Sequence, residues 1–317
     1  MENELDTCPC NMTITSMESI VIQRPFLKWV GGKTQLLDNI LGKIPKKMEN
    51  YREIFLGGGS VLLAVLSMRK EGTIQIKNKV YAYDINEHLI NTYKSIQQDR
   101  EQLYGYISQY VSEYDSIKGN KINRNPQNEQ DAITSKESYY YWLRARFNEE
   151  ESQDVIEKSA IFILLNKLGF RGMYREGPRG MNVPYGHYKT TPEFISLGGL
   201  HAIYDLIKDV EFKKCDFTES IKQVTKGDFV YIDPPYAPET SNSFVKYTEK
   251  GFDIDMHNEL FNNIKNLKKK NSSFILHNAS VTMVTDCFKE YTIEEVMARR
   301  AINSKHPGSK TKEVIIY

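Results

Sequence analysis

The sequence predicts an α/β domain with a parallel sheet, interrupted once by an inserted and mainly helical segment, and three observations carry that prediction. Short apolar runs alternate with helical periodicity over residues 26–97, the alternation resumes at 199, and residues 98–198 break it. Regular alternation of strand and helix signals marks a parallel sheet, because parallel strands need a helix-length crossover to return to the same end.

The elements follow in chain order. Helical spacing at 34–43 leads to a strand at 51–55, an apolar helix at 60–70, a strand at 79–84 and a helix at 87–97. Beyond the interruption, strands at 210–213, 228–232 and 273–278 are separated or followed by helical stretches at 199–208, 217–223, 256–268 and 281–288. The interruption opens polar and helical, crosses a loop-like Gly, Asn, Pro and Gln stretch at 118–131, forms an apolar helix at 153–168 and ends in a Gly-, Arg- and Pro-rich segment at 169–189. Irregular segments positioned by a rigid scaffold are where recognition tends to sit. The expected domains are a weakly ordered extension at 1–21, a catalytic and cofactor-binding domain formed by 22–97 with 199–317, and a recognition insertion at 98–198.

Charge and cysteine usage narrow the class. The 317 residues carry a net charge of +1, so overall electrostatics neither demand nor exclude a nucleic-acid partner and local clusters decide. Cys8 and Cys10 have no second Cys or His pair at zinc-ligand spacing; with Cys215 and Cys287 they read as free thiols, and no metal is expected. Residues 1–20 carry acidic side chains and no apolar run, which reads as neither signal peptide nor membrane anchor and predicts a cytoplasmic protein.

The strongest motif is Asp233-Pro234-Pro235-Tyr236, directly after the apolar run Phe229–Ile232 and so at the carboxyl end of a buried strand. Ligands of open α/β sheets bind at that end. The two prolines remove two backbone donors, leaving the Asp233 carboxylate and the Pro234 carbonyl as acceptors beside an aromatic face. Such a set suits a planar ring bearing an amino group; an ordinary strand-end turn is the plainer alternative. The second motif, Glu53 to Ser60, runs a strand into three glycines and then a helix. Gly57 and Gly59 fit a dinucleotide fingerprint but Leu62 stands at its last position, while Asp84 at the end of the next strand is placed to accept from ribose hydroxyls. Together they indicate an adenosyl cofactor without a pyrophosphate. Gly31-Gly32-Lys33-Thr34 lacks the first phosphate-loop glycine, since Leu27 stands there, and nucleotide hydrolysis is rejected. Phe26, Trp29 and Lys33 are either walls of a cofactor site or plain packing.

Phe26 to Lys33, Phe55 to Gly59, Tyr83 to Asn86, Asn182 to Gly186 and Asp233 to Tyr236 occur in the order found in Dam-type adenine methyltransferases, and the chain resembles that alpha-class family over residues 22–317. The resemblance implies a Rossmann-like S-adenosylmethionine-dependent sheet with an inserted target-recognition domain. It implies Asp233, Pro234 and Tyr236 as catalytic residues. For S-adenosylmethionine it implies Phe55, Gly57 and Gly59 at the methionine, Asp84 at the ribose, Asp216 and Phe217 at the adenine, Trp29 and Lys33 closing over the methionine end, and Asp233 beside the methyl. Gly58 stands where many relatives carry alanine.

Double-stranded DNA is the expected partner. Lys167, Arg171, Arg175, Arg179 and Lys189 stand against Glu176 within residues 167–189, interleaved with Phe170, Met173, Tyr174, Met181, Pro184 and Tyr185. A solvated basic face is the bland reading of such a run; aromatic and apolar groups among arginines suit base contact and phosphate contact together. By position in the family motif, Arg175 falls to a guanine and Met173 with Pro184 to a neighbouring thymine within GATC. Arg171 stands where the Dam-like pattern carries asparagine, which leaves a GATATC-type site open. RNA or a protein amide is the alternative substrate, and a companion restriction endonuclease is the alternative to a solitary enzyme. A second basic tract, Arg299, Arg300, Lys305, Lys310 and Lys312, lies in a hairpin-like loop and either touches phosphates or is solvated, whereas Lys268, Lys269 and Lys270 complement a helix dipole. Pro238 to Lys250, with Ser241, Asn242, Phe244 and Tyr247, either closes over an extruded base or forms a surface loop.

Overall fold

In the computed structural model, residues 12–14, 20–149, 154–237, 252–299 and 310–317 are described. Seven strands form the main sheet: β1 (Tyr51–Glu53), β2 (Val80–Asp84), β3 (Val210–Lys214), β4 (Phe229–Ile232), β5 (Ser273–Ala279), β6 (Ile293–Arg299) and β7 (Lys310–Ile316). Their spatial order is β6-β7-β5-β4-β1-β2-β3. The pairs from β5 to β3 are parallel, and β7 lies antiparallel to both β5 and β6. The α/β architecture with its mostly parallel sheet is the one expected from strand and helix alternation, and its Rossmann-like form is the one the resemblance implies.

Both faces of the sheet are covered, which is why its central strands read as continuous apolar runs. Helices α1 (Ser60–Lys70), α2 (Glu87–Ser116) and α5 (Leu197–Ile207) pack on the face carrying Val80, Ala82, Phe212, Tyr231 and Ile275. Helices α6 (Phe217–Lys222), α7 (Ile254–Leu267) and α8 (Thr282–Cys287) cover the opposite face at Ile54, Tyr83, Val230, Ile232 and Leu276. Between α2 and α5 the chain leaves the sheet and forms α3 (Lys136–Asn148) and α4 (Val155–Leu168), and α4 packs along α2.

Three elements differ from the sequence reading. The helical stretch expected at 34–43 is a 3-10 turn at Thr34–Leu36 followed by one short helix, Leu37–Leu41. The helix expected to end near 97 continues to Ser116 through a break at Asp99, whose carboxylate accepts from Gln102 N–H at 2.9 Å and so restarts the helix as a cap would. Helix α3 was not anticipated: Tyr139, Tyr140, Tyr141, Trp142 and Phe147 favour strand as readily as helix, and the cap that fixes it is Ser135, accepting from Ser138 N–H. Lys270 does complement a helix end, but that of α6, donating to the carbonyls of Ile221, Lys222 and Val224. Cys8, Cys10, Arg300, Lys305 and the stretch Pro238 to Lys250 lie outside the described residues. Lys312 is paired with Glu295 at 3.0 Å. Among the described residues no helix is long and apolar enough to cross a membrane.

Candidate active site

The carboxyl ends of β1 to β4 bring most of the singled-out residues to one end of the sheet. Glu53 closes β1 and the glycine loop follows it; Asp84 closes β2; Asp216 and Phe217 follow β3; Asp233 follows β4. Strands β1 and β4 are neighbours although β2 and β3 separate them in sequence. The loops leaving them therefore diverge to opposite faces, and a crevice opens between.

One side of the crevice is the glycine loop. Gly59 holds φ +71° at the start of α1, and a Cβ there would stand 2.2 Å from the Tyr93 hydroxyl, which donates to the Gly58 carbonyl at 3.0 Å. Gly57, at φ +50°, lies against the indole of Trp29, whose Cδ1 would be 3.0 Å from an added Cβ. The Asp84 carboxylate accepts from the N–H of Gly57 at 3.0 Å and of Asn86 at 2.9 Å, so it ties the loop to the neighbouring strand. Desolvation raises its pKa against the lowering effect of those two bonds. Phe55 and Phe217 stack at 6.0 Å, and Phe252 packs against both. Asp216 caps α6, accepting from Thr218 N–H at 2.8 Å.

The other side is the turn after β4. Lys33 is buried, and its ammonium sits 2.6 Å from Asp233 Oδ2, donates to the Gly31 carbonyl at 2.6 Å and lies 5.1 Å over the Tyr236 ring. Asp233 Oδ1 is also buried and has no hydrogen-bond partner among the described residues. The Tyr236 hydroxyl donates to Glu313 Oε2 at 2.7 Å, and its ring lies parallel to that of His277. Burial pushes the Glu53 carboxyl up to about 8; the Tyr51 hydroxyl donating at 2.6 Å opposes this, while Asp233 and Asp84 add to it.

Sequence reading gave no role in this site to Tyr231, His277 or Glu313, nor to Glu53, which only opened the second motif. Register explains their arrival: Glu53 opposes Ala82 and Tyr231, Tyr231 opposes Ile275, and Ile315 opposes His277. With side chains alternating between faces, Asp84, Glu53, Tyr231, His277 and Glu313 line one face at one end of the sheet. Asn278 was likewise not singled out in the sequence; its Oδ1 accepts from Ala237 N–H at 3.0 Å and holds the end of the turn.

The insertion reaches the crevice through its last segment. The Asn166 amide both accepts from Lys28 N–H at 2.8 Å and donates to the Lys28 carbonyl at 2.7 Å, fixing α4 to the irregular segment before Trp29. Trp29 then stacks on Tyr174 at 6.0 Å. Phe170, Arg171, Arg175, Arg179, Pro184 and Lys189 are exposed, while Lys167 and Met173 are half-buried. The hairpin of this segment pairs Glu176–Gly177 with Gly180–Met181, placing Pro178 and Arg179 at its tip, and residues 170–172 form a 3-10 turn before it. Arg175 is braced by Asn182, with Nε 2.6 Å from Oδ1 and a terminal nitrogen 3.4 Å from the carbonyl oxygen.

The chain is 33% identical to the Type II methyltransferase M.MjaIII of Methanocaldococcus jannaschii over 92% of this chain and 96% of that one. It is 29% identical to the Type II methyltransferase M1.LlaDCHI of Lactococcus lactis over 92% and 94%, and 28% identical to the DNA adenine methylase of Escherichia coli over 92% of each. A family model for D12 class N6 adenine-specific DNA methyltransferases matches residues 29–302, which contain every strand end of the crevice, and the chain belongs to that family of enzymes, which methylate adenine in DNA.

Proposed function

We propose that this enzyme methylates the 6-amino group of an adenine extruded from duplex DNA, within GATC, with Asp233, Pro234 and Tyr236 receiving the base and the glycine loop holding S-adenosylmethionine. The observation that carries the reading is Asp233, whose Oδ2 is bound by Lys33 while the buried Oδ1 lacks a partner among the described residues. A buried acceptor left unmatched costs about 1–3 kcal/mol, which a ligand donor recovers, and an exocyclic amino group is such a donor. Pro234 offers its carbonyl and has no N–H to compete. Holding both amino hydrogens draws the nitrogen, whose lone pair is otherwise delocalised into the ring, towards tetrahedral geometry. Bound S-adenosylmethionine supplies an electrophilic sulfonium methyl.

The residues present fit that cofactor. A left-handed glycine loop at a helix start allows close backbone approach. Asp84 and the Phe55–Phe217 pair offer a carboxylate and an aromatic face to an adenosine, and Asp216 has a second carboxylate oxygen beyond the one that caps α6. Lys33 and Trp29 flank the loop from the N-terminal side. Stacked adenine cannot enter a strand-end crevice, so the base is extruded, at a cost of a few kcal/mol.

On the DNA side, Lys167, Arg179 and Lys189 serve phosphates, Phe170 and Arg171 approach the bases, and Met173 and Pro184 meet a thymine methyl. The brace from Asn182 pre-orders the Arg175 fork, the geometry that suits the two major-groove acceptors of guanine. Type II designations among the relatives support a companion endonuclease directed at the same site. Sequencing DNA from cells expressing the chain reads base and site at once. N6-methyladenine confined to GATC is expected; confinement to GATATC transfers outer-base choice to Arg171, and unmodified adenine beside folded, expressed protein overturns the reading.

A further inference from the structure

We propose that Glu313 is a positioning residue for methyl transfer: it fixes the Tyr236 ring through its hydroxyl, and His277 in turn fixes Glu313. The proposal rests on the reading above that Tyr236 receives the target base, which its aromatic ring does by stacking. The main chain of the turn is already held, by His257 Nε2 at 3.0 Å from the Pro235 carbonyl oxygen and by Asn278 at 3.0 Å from Ala237 N. These bonds hold the main chain and do not reach the Tyr236 hydroxyl. Glu313, arriving on the antiparallel strand β7, fixes that end of the side chain by accepting from the hydroxyl at 2.7 Å. The same carboxylate oxygen lies 2.9 Å from His277 Nε2.

Donor and acceptor chemistry orders the protons of the triad. An ionised carboxylate only accepts, so Nε2 carries the imidazole proton. Burial lowers the His277 pKa and keeps the ring neutral, despite the opposing pull of Glu313 and Asp233. Burial alone would raise the Glu313 pKa, but the bonds from His277 and Tyr236, with Lys33 nearby, hold it below its ordinary value, so the acceptor stays charged. A phenol that donates to a carboxylate gains electron density on its ring. The Lys33 ammonium 5.1 Å over that ring shows that its face accepts a cation. As the methyl arrives, the amino nitrogen of the base becomes positive, and the ring stacked on that base is the one Glu313 has enriched.

Turnover is measured at saturating duplex DNA and S-adenosylmethionine for Glu313→Ala, Glu313→Gln, Tyr236→Phe and the double variant Glu313→Ala/Tyr236→Phe, with Asp233→Ala alongside. Glu313→Ala and Tyr236→Phe should each lower kcat by about 10–100-fold, the loss of one hydrogen bond to a charged group, with KM values moving by less than about threefold. The double variant should be no slower than the slower single one, because both remove the same bond. Glu313→Gln still accepts from the hydroxyl and should recover at least about threefold of the loss. Losses that multiply in the double variant, a Glu313→Gln enzyme as slow as Glu313→Ala, or a Glu313→Ala enzyme at wild-type kcat each overturn the proposal. An Asp233→Ala enzyme with full turnover overturns instead the reading of the site beneath it.

Discussion

Asp233 shares its charge between a fixed partner and an open acceptor, and the two halves make separable demands. Asp233→Ala should lower kcat by at least about 100-fold while DNA and cofactor affinities stay within about tenfold, since the lost interaction is realised at the transition state. Thermal unfolding followed in parallel separates that loss from damage to the fold, because the same change strands the buried Lys33 ammonium. Near-normal single-turnover rates would remove Asp233 from the mechanism. Glu53, on the neighbouring strand, sets a different experiment. Burial pushes its carboxyl up to about 8 from an ordinary 4.5. Between those values the native state keeps a proton that the unfolded chain has released, so unfolding free energy should fall as pH rises from about 5 to 8. Glu53→Gln should flatten that decline, and urea titrations at several pH values compare the two slopes; parallel slopes would mean that Glu53 is ionised in the fold.

Among the elements, α4 owes its place to one amide as well as to its apolar surface. Asn166→Ala leaves the Lys28 N–H and carbonyl without the partner that holds both, and should cost about 2–4 kcal/mol in urea denaturation. A loss under about 0.5 kcal/mol would show that packing alone seats the insertion. In the segment after α4, Arg175→Ala should relax discrimination at guanine by about 1–3 kcal/mol, whereas Lys189→Ala should weaken all duplexes alike and flatten the salt dependence. Equal losses on every sequence for Arg175→Ala would make it a phosphate contact. The strands that carry Asp84 and Asp233 were legible in sequence because each is a short apolar run that ends on its chemistry. Glu313 was not: in Lys-Thr-Lys-Glu-Val-Ile-Ile it is one more polar residue of an alternating strand, and only pairing of β7 with β5 brings it beside His277. Helix α3 was missed for a related reason, since an aromatic-rich stretch carries no decisive period until its cap is seen.

At the scale of the whole molecule, alternation along the chain predicted parallel strands and their interruption, but not the order in which they lie. That order follows from the return of β4 to the flank of β1, a long-range pairing on which local residues are silent. A second long-range meeting is that of Trp29, which lies with one edge on the glycine loop and a face on Tyr174, the residue before Arg175. On the proposed function, one indole thus borders both the loop that holds the methyl donor and the segment that meets DNA. A wall shared by two ligands is a thermodynamic link, and such a link is reciprocal: the factor by which a bound donor tightens the grip on DNA equals the factor by which DNA tightens the grip on the donor. On the proposed function, the donor-loaded and the empty enzyme would then differ in their grip on DNA by that same factor.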